Sequence, residues 1–203
     1  DVGIEQLSLL IRSGGFRFTG IEKKVLLWRA HSLLHKGKRI LRSATLFDAP
    51  VLEYKMPQLD LDPHEDTFDQ MELLGFPLSS PFDLSASPLK HSCLAGELMG
   101  LIDQEVSIYG YLVTVKRTKT VTGELMYFGT FIDVAGDFID TVHFPDVAER
   151  FPFRGKGIYL IRGSVTEEFD ACSVEVSSLE KVPIVEDQRK NDMLRIKEKF
   201  KDL

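Results

Sequence analysis

YLVTVKRTKTVTGELMYFGTFID, residues 111–133, is the stretch on which the fold turns. Two runs of β-branched and aromatic residues flank Gly123, and a glycine between two such runs is a hairpin signal. The same grammar continues outward. EVSIYGYLVTVKRT, ELMYFGTFID, FIDTVHF, GIYLIRGSVTEEF and ACSVEVSSLEKV read as five strands, with Ala135-Gly136-Asp137 marking the second turn. A single amphipathic stretch, PDVAERFPF (145–153), separates the third strand from the fourth. Five strands with one helix after the third is the order of an OB-fold, a small Greek-key barrel, expected here over residues 104–184.

The residues before the barrel read as helical. IEQLSLLIR (4–12) places Ile4, Leu7, Leu10 and Ile11 at helical spacing, and Ser13-Gly14-Gly15 breaks it. A second helix is predicted from about Ile21 to His35, with Gly37 as its stop and a cationic run behind it that suits the negative end of the helix dipole. Residues 1–42 thus form a helical hairpin. Residues 43–63 form an acidic, proline-containing linker, and 64–103 a connector whose helix over 64–75 stops at Gly75. Residues 185–203 suggest a charged terminal helix. The expected protein is mostly β, a five-stranded OB barrel preceded by an α-helical hairpin and a linker.

Totals narrow the function classes. The 203 residues carry 25 Lys+Arg against 31 Asp+Glu, so this is not a generally basic nucleic-acid-binding chain. Charge is unevenly placed: residues 1–47 hold nine Lys/Arg against three acids, and residues 48–72 one Lys against eight acids. Two distant cysteines, Cys93 and Cys172, match no metal spacing, and a reduced, cytoplasmic protein is the simplest expectation. No stretch is apolar enough for a membrane span. The opening DVGIEQ has no initiator Met and no signal-like pattern, and reads as the middle of a longer chain.

Candidate chemistry centres on the first hairpin. Lys116, Arg117 and Lys119 sit where the first loop of an OB barrel contacts its ligand, and they can meet phosphates. Tyr127, Phe131, Phe138 and, on the fourth loop, Phe169 are candidate stacking platforms for bases. Against strong binding, residues 105–184 hold eight Lys/Arg and twelve acids. Weak, tethered binding of single strands is the expectation, and a protein-interaction barrel with little nucleic-acid affinity is the alternative. No catalytic site is expected. Asp60, Asp62 and Asp66 lie in an unpatterned linker rather than on the rigid scaffold a two-metal site needs, and His31 with His35 lacks a third ligand. Neither a metal nor a cofactor is expected.

The order of pieces resembles one family. LLIRSGGFRFTG…KKVLLWRAHSLL, then SATLFD, MELLGFPLSS (71–80) and the barrel segments GYLVTVKRTKTVTGELMYFGTFID and FIDTVHFPDVAERFPFRGKGIYLIRG look like the C-terminal region of the bacterial DNA polymerase III alpha subunit. That resemblance implies a non-catalytic part of a replicative nucleotidyltransferase whose parent would use Mg²⁺. It implies the end of a helix-hairpin-helix segment, with Arg17, Lys23 and Lys24 on duplex backbone, and a barrel lying near single-stranded template DNA. It further implies a sliding-clamp-binding peptide at Ser43, Leu46 and Phe47, with other replisome subunits as partners.

Overall fold

The computed structural model describes residues 2–40, 62–90, 92–168 and 171–189, with side chains left undescribed over 35–40. The chain divides into two compact units, residues 1–79 with 189–203, and residues 80–188. The connector predicted over 64–103 is therefore shared. Its helix and the residues through Ser79 belong to the first unit, and residues 80–103 to the second.

In the first unit, α1 (Ile4–Arg12) and α2 (Lys23–Ile40) form the predicted hairpin and α3 (Glu65–Leu73) packs on α1. Ser13 caps α1 through its backbone N–H, and Gly14 follows at φ +91°, where a side chain would be strained. A short 3₁₀ turn, Arg17–Thr19, closes the loop on Gly20. α2 runs through Gly37 to Ile40 rather than stopping near His35. One interior glycine costs a helix about 1 kcal/mol relative to Ala, which the remaining turns outweigh. The acidic linker with the peptide at Ser43, Leu46 and Phe47, and most of the expected terminal helix, lie outside the described residues.

The second unit is the OB-like barrel. Its strands are β1 (Glu105–Lys119), β2 (Leu125–Ile132), β3 (Phe138–His143), β4 (Ile158–Glu168) and β5 (Ala171–Lys181), with α4 (Pro145–Arg150) between β3 and β4. They close in the order β1-β2-β3-β5-β4, all pairs antiparallel except β3 with β5. β1 is long because it serves two neighbours: residues 105–111 pair with β4 and residues 111–119 with β2. Ile108, Phe131, Ile139, Tyr159, Ile161, Val165 and Val174 fill the interior. Gly110 makes room for this filling, since a Cβ there would stand 2.8 Å from that of Phe131.

Asp133 is buried and sets the second turn. Its carboxylate accepts the N–H groups of Ala135 (2.8 Å) and Asp137 (2.9 Å), and that of Ala95 (2.8 Å), which ties the preceding segment to the barrel. A carboxylate with three such donors is satisfied in a place where an unpaired charge would be costly. Among the described residues no helix is long and apolar enough to cross a membrane.

Candidate nucleic-acid interface

The cationic run is strand, not turn. Lys116, Arg117 and Lys119 are the last residues of β1, and the turn falls at Thr120–Glu124, closed by Gly123 N–H to the Thr120 carbonyl. Register then separates the three. Lys116 pairs with Phe128, Arg117 with Tyr127, and Lys119 with Leu125. Directly paired residues share a face and neighbours alternate, so Lys116 lies on one side of the ribbon and Arg117 and Lys119 on the other. Lys116 stands on the outer face of the barrel with Phe128, while Arg117 continues the inner face. All three are exposed, and none forms an ion pair among the described residues.

The reason is a bulge. The β1–β2 register shifts between Leu112 and Thr114, leaving Val113 as the extra residue. One inserted residue reverses the alternation of everything beyond it. Leu112 and Phe131 point inward together, yet Thr114 and Thr130, the next pair, face out.

The expected aromatics divide in the same way. Phe131 is fully buried at 0% exposure, packed near Phe153 and Tyr159, and cannot meet a base. That expectation is corrected: the side chain fills the barrel. Tyr127 is half-buried, edge-on to Phe153 with centroids 5.7 Å apart, and closes the barrel end. Phe138 is 69% exposed at the start of β3. Phe169 lies outside the described residues. Phe128, which the sequence reading passed over, is 42% exposed on the outer face beside Lys116. Its outward facing follows once Phe131 is known to point inward, because a residue three places away on the same strand takes the opposite face.

The outer face of β2 and β3 is thus an ordered array. Phe128 pairs with Val142, Thr130 with Asp140, and Ile132 with Phe138. The two exposed rings lie on a diagonal with the Thr130–Asp140 pair between them. Four strand residues and one strand step separate them, on the order of 14 Å along the backbone. Lys116 flanks this array on the β1 side. Across β3, Asp140 pairs with Ser173 and Val142 with the exposed Glu175 of β5, so the opposite flank is acidic.

Beneath Tyr127, on the inner face, His143 is buried, its ring 4.8 Å from that of Phe153. The Thr141 hydroxyl donates to the Gly129 carbonyl (2.9 Å), so its oxygen is left to accept Nε2–H of His143 at 2.9 Å. Nδ1 has no partner, and burial pulls the imidazole down to about 4, so it is neutral at pH 7. Gly129 is required here, because a Cβ would come within 2.7 Å of Thr141 Oγ1.

The cations expected on duplex backbone are committed elsewhere. Lys23 Nζ lies 2.7 Å from Asp69 and 2.8 Å from Asp66, Arg17 lies 3.2 Å from Asp66, and Lys24 lies 3.1 Å from Glu65. Asp69 is buried and also accepts from Arg12 at 2.6 Å and from Arg189. Arg12, Arg17, Lys23 and Lys24 of the hairpin are therefore paired with the acids of α3. Burial opposes the charge on Asp69, but hydrogen bonds from Arg12 and Lys23 outweigh it and hold the carboxyl below its usual range.

No family model matches the chain, and no curated protein does. Among solved structures the chain is similar to the hypothetical protein ygiW of E. coli, at 16% identity over 47% of this chain and 94% of that one, with a TM-score of 0.33. It is also similar to a "putative nucleic acid-binding lipoprotein" of Klebsiella pneumoniae subsp. pneumoniae, at 14% identity over 45% of this chain and 78% of that one, again with a TM-score of 0.33. The resemblance to the polymerase III alpha subunit is overturned: no family model and no curated protein supports it, and neither of these two structures is a polymerase. The helix-hairpin-helix, clamp and replisome expectations rested on that resemblance, and these comparisons give them no support.

Proposed function

We propose that the barrel is a non-catalytic module that binds single-stranded nucleic acid weakly across the outer face of β1, β2 and β3. The observation that carries this is the array itself: two exposed rings, Phe128 and Phe138, beside an uncommitted Lys116. Bases of any sequence stack on such rings, and each ring contributes about 1–3 kcal/mol. Phosphates are repelled by Asp140 and Glu175, so the sugar-phosphate chain runs on the Lys116 side and the bases lie toward β3. Arg117 and Lys119, on the far side of the ribbon, reach phosphates only where the strand wraps around the hairpin edge.

The test is fluorescence anisotropy with a labelled single-stranded DNA oligonucleotide, titrated at several salt concentrations. With one to three phosphate contacts the salt slope is between about −0.7 and −2. Phe128→Ala and Phe138→Ala each weaken binding about ten-fold. Binding that ignores salt and both aromatic substitutions would instead favour the protein-interaction reading, to which the excess of acids over residues 105–184 already lends some support.

A further inference from the structure

An exposed carboxylate in the middle of a surface meant for a polyanion calls for explanation. Asp140 lies opposite Thr130 at the centre of the array, one side-chain step along the strand from Phe128 and one from the Ile132–Phe138 pair. Each step is about 6.8 Å. The Thr130 hydroxyl donates to Asp140 Oδ1 at 2.8 Å. That bond uses the only proton available at this position. The ionised carboxylate offers acceptors alone, and the hydroxyl oxygen, its hydrogen committed, offers only lone pairs.

We propose that the Thr130–Asp140 pair is a base-selecting element, and that the base lying between the two ring platforms is preferentially guanine. The inference rests on the single-strand-binding reading and adds which base it favours. The site carries acceptors and no donor, so it fits the base edge richest in donors. Guanine presents N1–H and the N2 amino group side by side, and a carboxylate accepts such a pair in parallel. Adenine and cytosine offer one amino group each. Thymine and uracil offer a single N3–H between two carbonyls, which face the carboxylate as like partial charges. A site whose polar groups pair with one edge rejects an edge that leaves them unpaired. The expected order is guanine, then adenine and cytosine, then thymine or uracil.

The geometry also explains why the carboxylate is tolerated. It sits on the base side of the face, one strand removed from Lys116, where phosphates are not expected. Asp140 is exposed, and among the described residues the Thr130 hydroxyl makes the one side-chain hydrogen bond to its carboxylate, so its replacement should leave the barrel folded.

The experiment titrates the whole chain with oligothymidylates carrying one guanine, adenine, cytosine or thymine at the centre, at fixed low salt, with ribose counterparts as a second arm. The expected result is about ten-fold tighter binding of the guanine oligomer over the all-thymine one, with the same order in both arms. Asp140→Asn, which adds a donor and removes the charge, should tighten binding of the thymine oligomer and bring all four within about two-fold. Thr130→Val should retain the order but narrow it, because the carboxylate remains. Binding without base preference, or a guanine preference that survives Asp140→Asn, overturns the proposal and leaves the binding face standing. Failure of every oligomer to bind overturns both readings. Near-ultraviolet circular dichroism of the barrel tyrosines checks that the variants are folded.

Discussion

Asp69→Asn is the most informative perturbation of the helical unit. The buried carboxylate accepts from Arg12 at 2.6 Å, Lys23 at 2.7 Å and Arg189. Removing one partner of a buried ion pair costs about 3–5 kcal/mol where the remaining charge is stranded. Here it is only half stranded. Arg12 keeps Glu72 at 2.9 Å, Lys23 keeps Asp66 at 2.8 Å, and the Arg12 side chain is 30% exposed to water. The loss expected at pH 7 is therefore about 2–3 kcal/mol. Urea unfolding followed by tryptophan fluorescence reads it selectively, because the single tryptophan, Trp28, lies in α2. The pH dependence gives a second reading. Asp69 is held below its usual range when folded, so its contribution is present above the ordinary carboxylate value of about 3.9 and fades as the pH falls through the folded value. The gap between wild type and variant should be constant from about pH 5 to 8 and shrink below about pH 4. A gap under about 0.5 kcal/mol, or one that does not shrink in acid, would refute the assignment of Asp69 as the charge around which the unit is organised.

The barrel makes three further predictions. Phe131→Ala should destabilise it by about 3–5 kcal/mol, whereas Phe138→Ala should change stability by less than about 0.5 kcal/mol and only lower oligonucleotide affinity. Equal effects of the two on stability would contradict the division into inner and outer rings. Gly129→Ala should cost about 1–3 kcal/mol, because Thr141 must give way, and thermal unfolding followed by tyrosine ellipticity checks it. His143 is neutral when folded and ordinary when unfolded, so the unfolded chain binds the extra proton between about pH 6.5 and 4. Barrel stability should fall through that window, by on the order of 3 kcal/mol, and level off below it. His143→Leu should abolish the slope.

The barrel was legible in the sequence because its strands are written in β-branched and aromatic runs with glycine or Asx punctuation, a local signal. The faces were not legible. Counting by two from Leu112 puts Lys116 inside and Arg117 and Lys119 outside, and the bulge at Val113 reverses that assignment. A bulge depends on how two strands settle against each other, and nothing in Leu112-Val113-Thr114 announces it. Phe131 and Phe138 look alike in sequence, and only the closing of the barrel makes one a core residue and the other a surface ring. In the helical unit both charge blocks were plain, but not that part of one neutralises part of the other. That requires knowing that Asp66 and Asp69 of α3 meet Arg17, Lys23 and Arg12 of the hairpin. The polymerase resemblance shows a related hazard, since an order of structural pieces is a fold-level analogy and does not by itself fix a family or a function.

The end of the β1–β2 ribbon carries a consequence for how this surface can change. Beyond Tyr127 and its partner His143, β2 has no further strand pair with β3 among the described residues; α4 packs on β2, and the hairpin tip from Thr120 to Glu124 is carried by its own two strands. It can therefore act as a ruler. Inserting two residues into each strand preserves every facing and moves the tip outward by about 6.8 Å without touching barrel closure. Inserting one exchanges the two sides, sending Lys119 to the ring-bearing face and its neighbour Thr118 away from it. Reach and handedness of the arm are thus separately adjustable, the first in even steps of length and the second in odd ones.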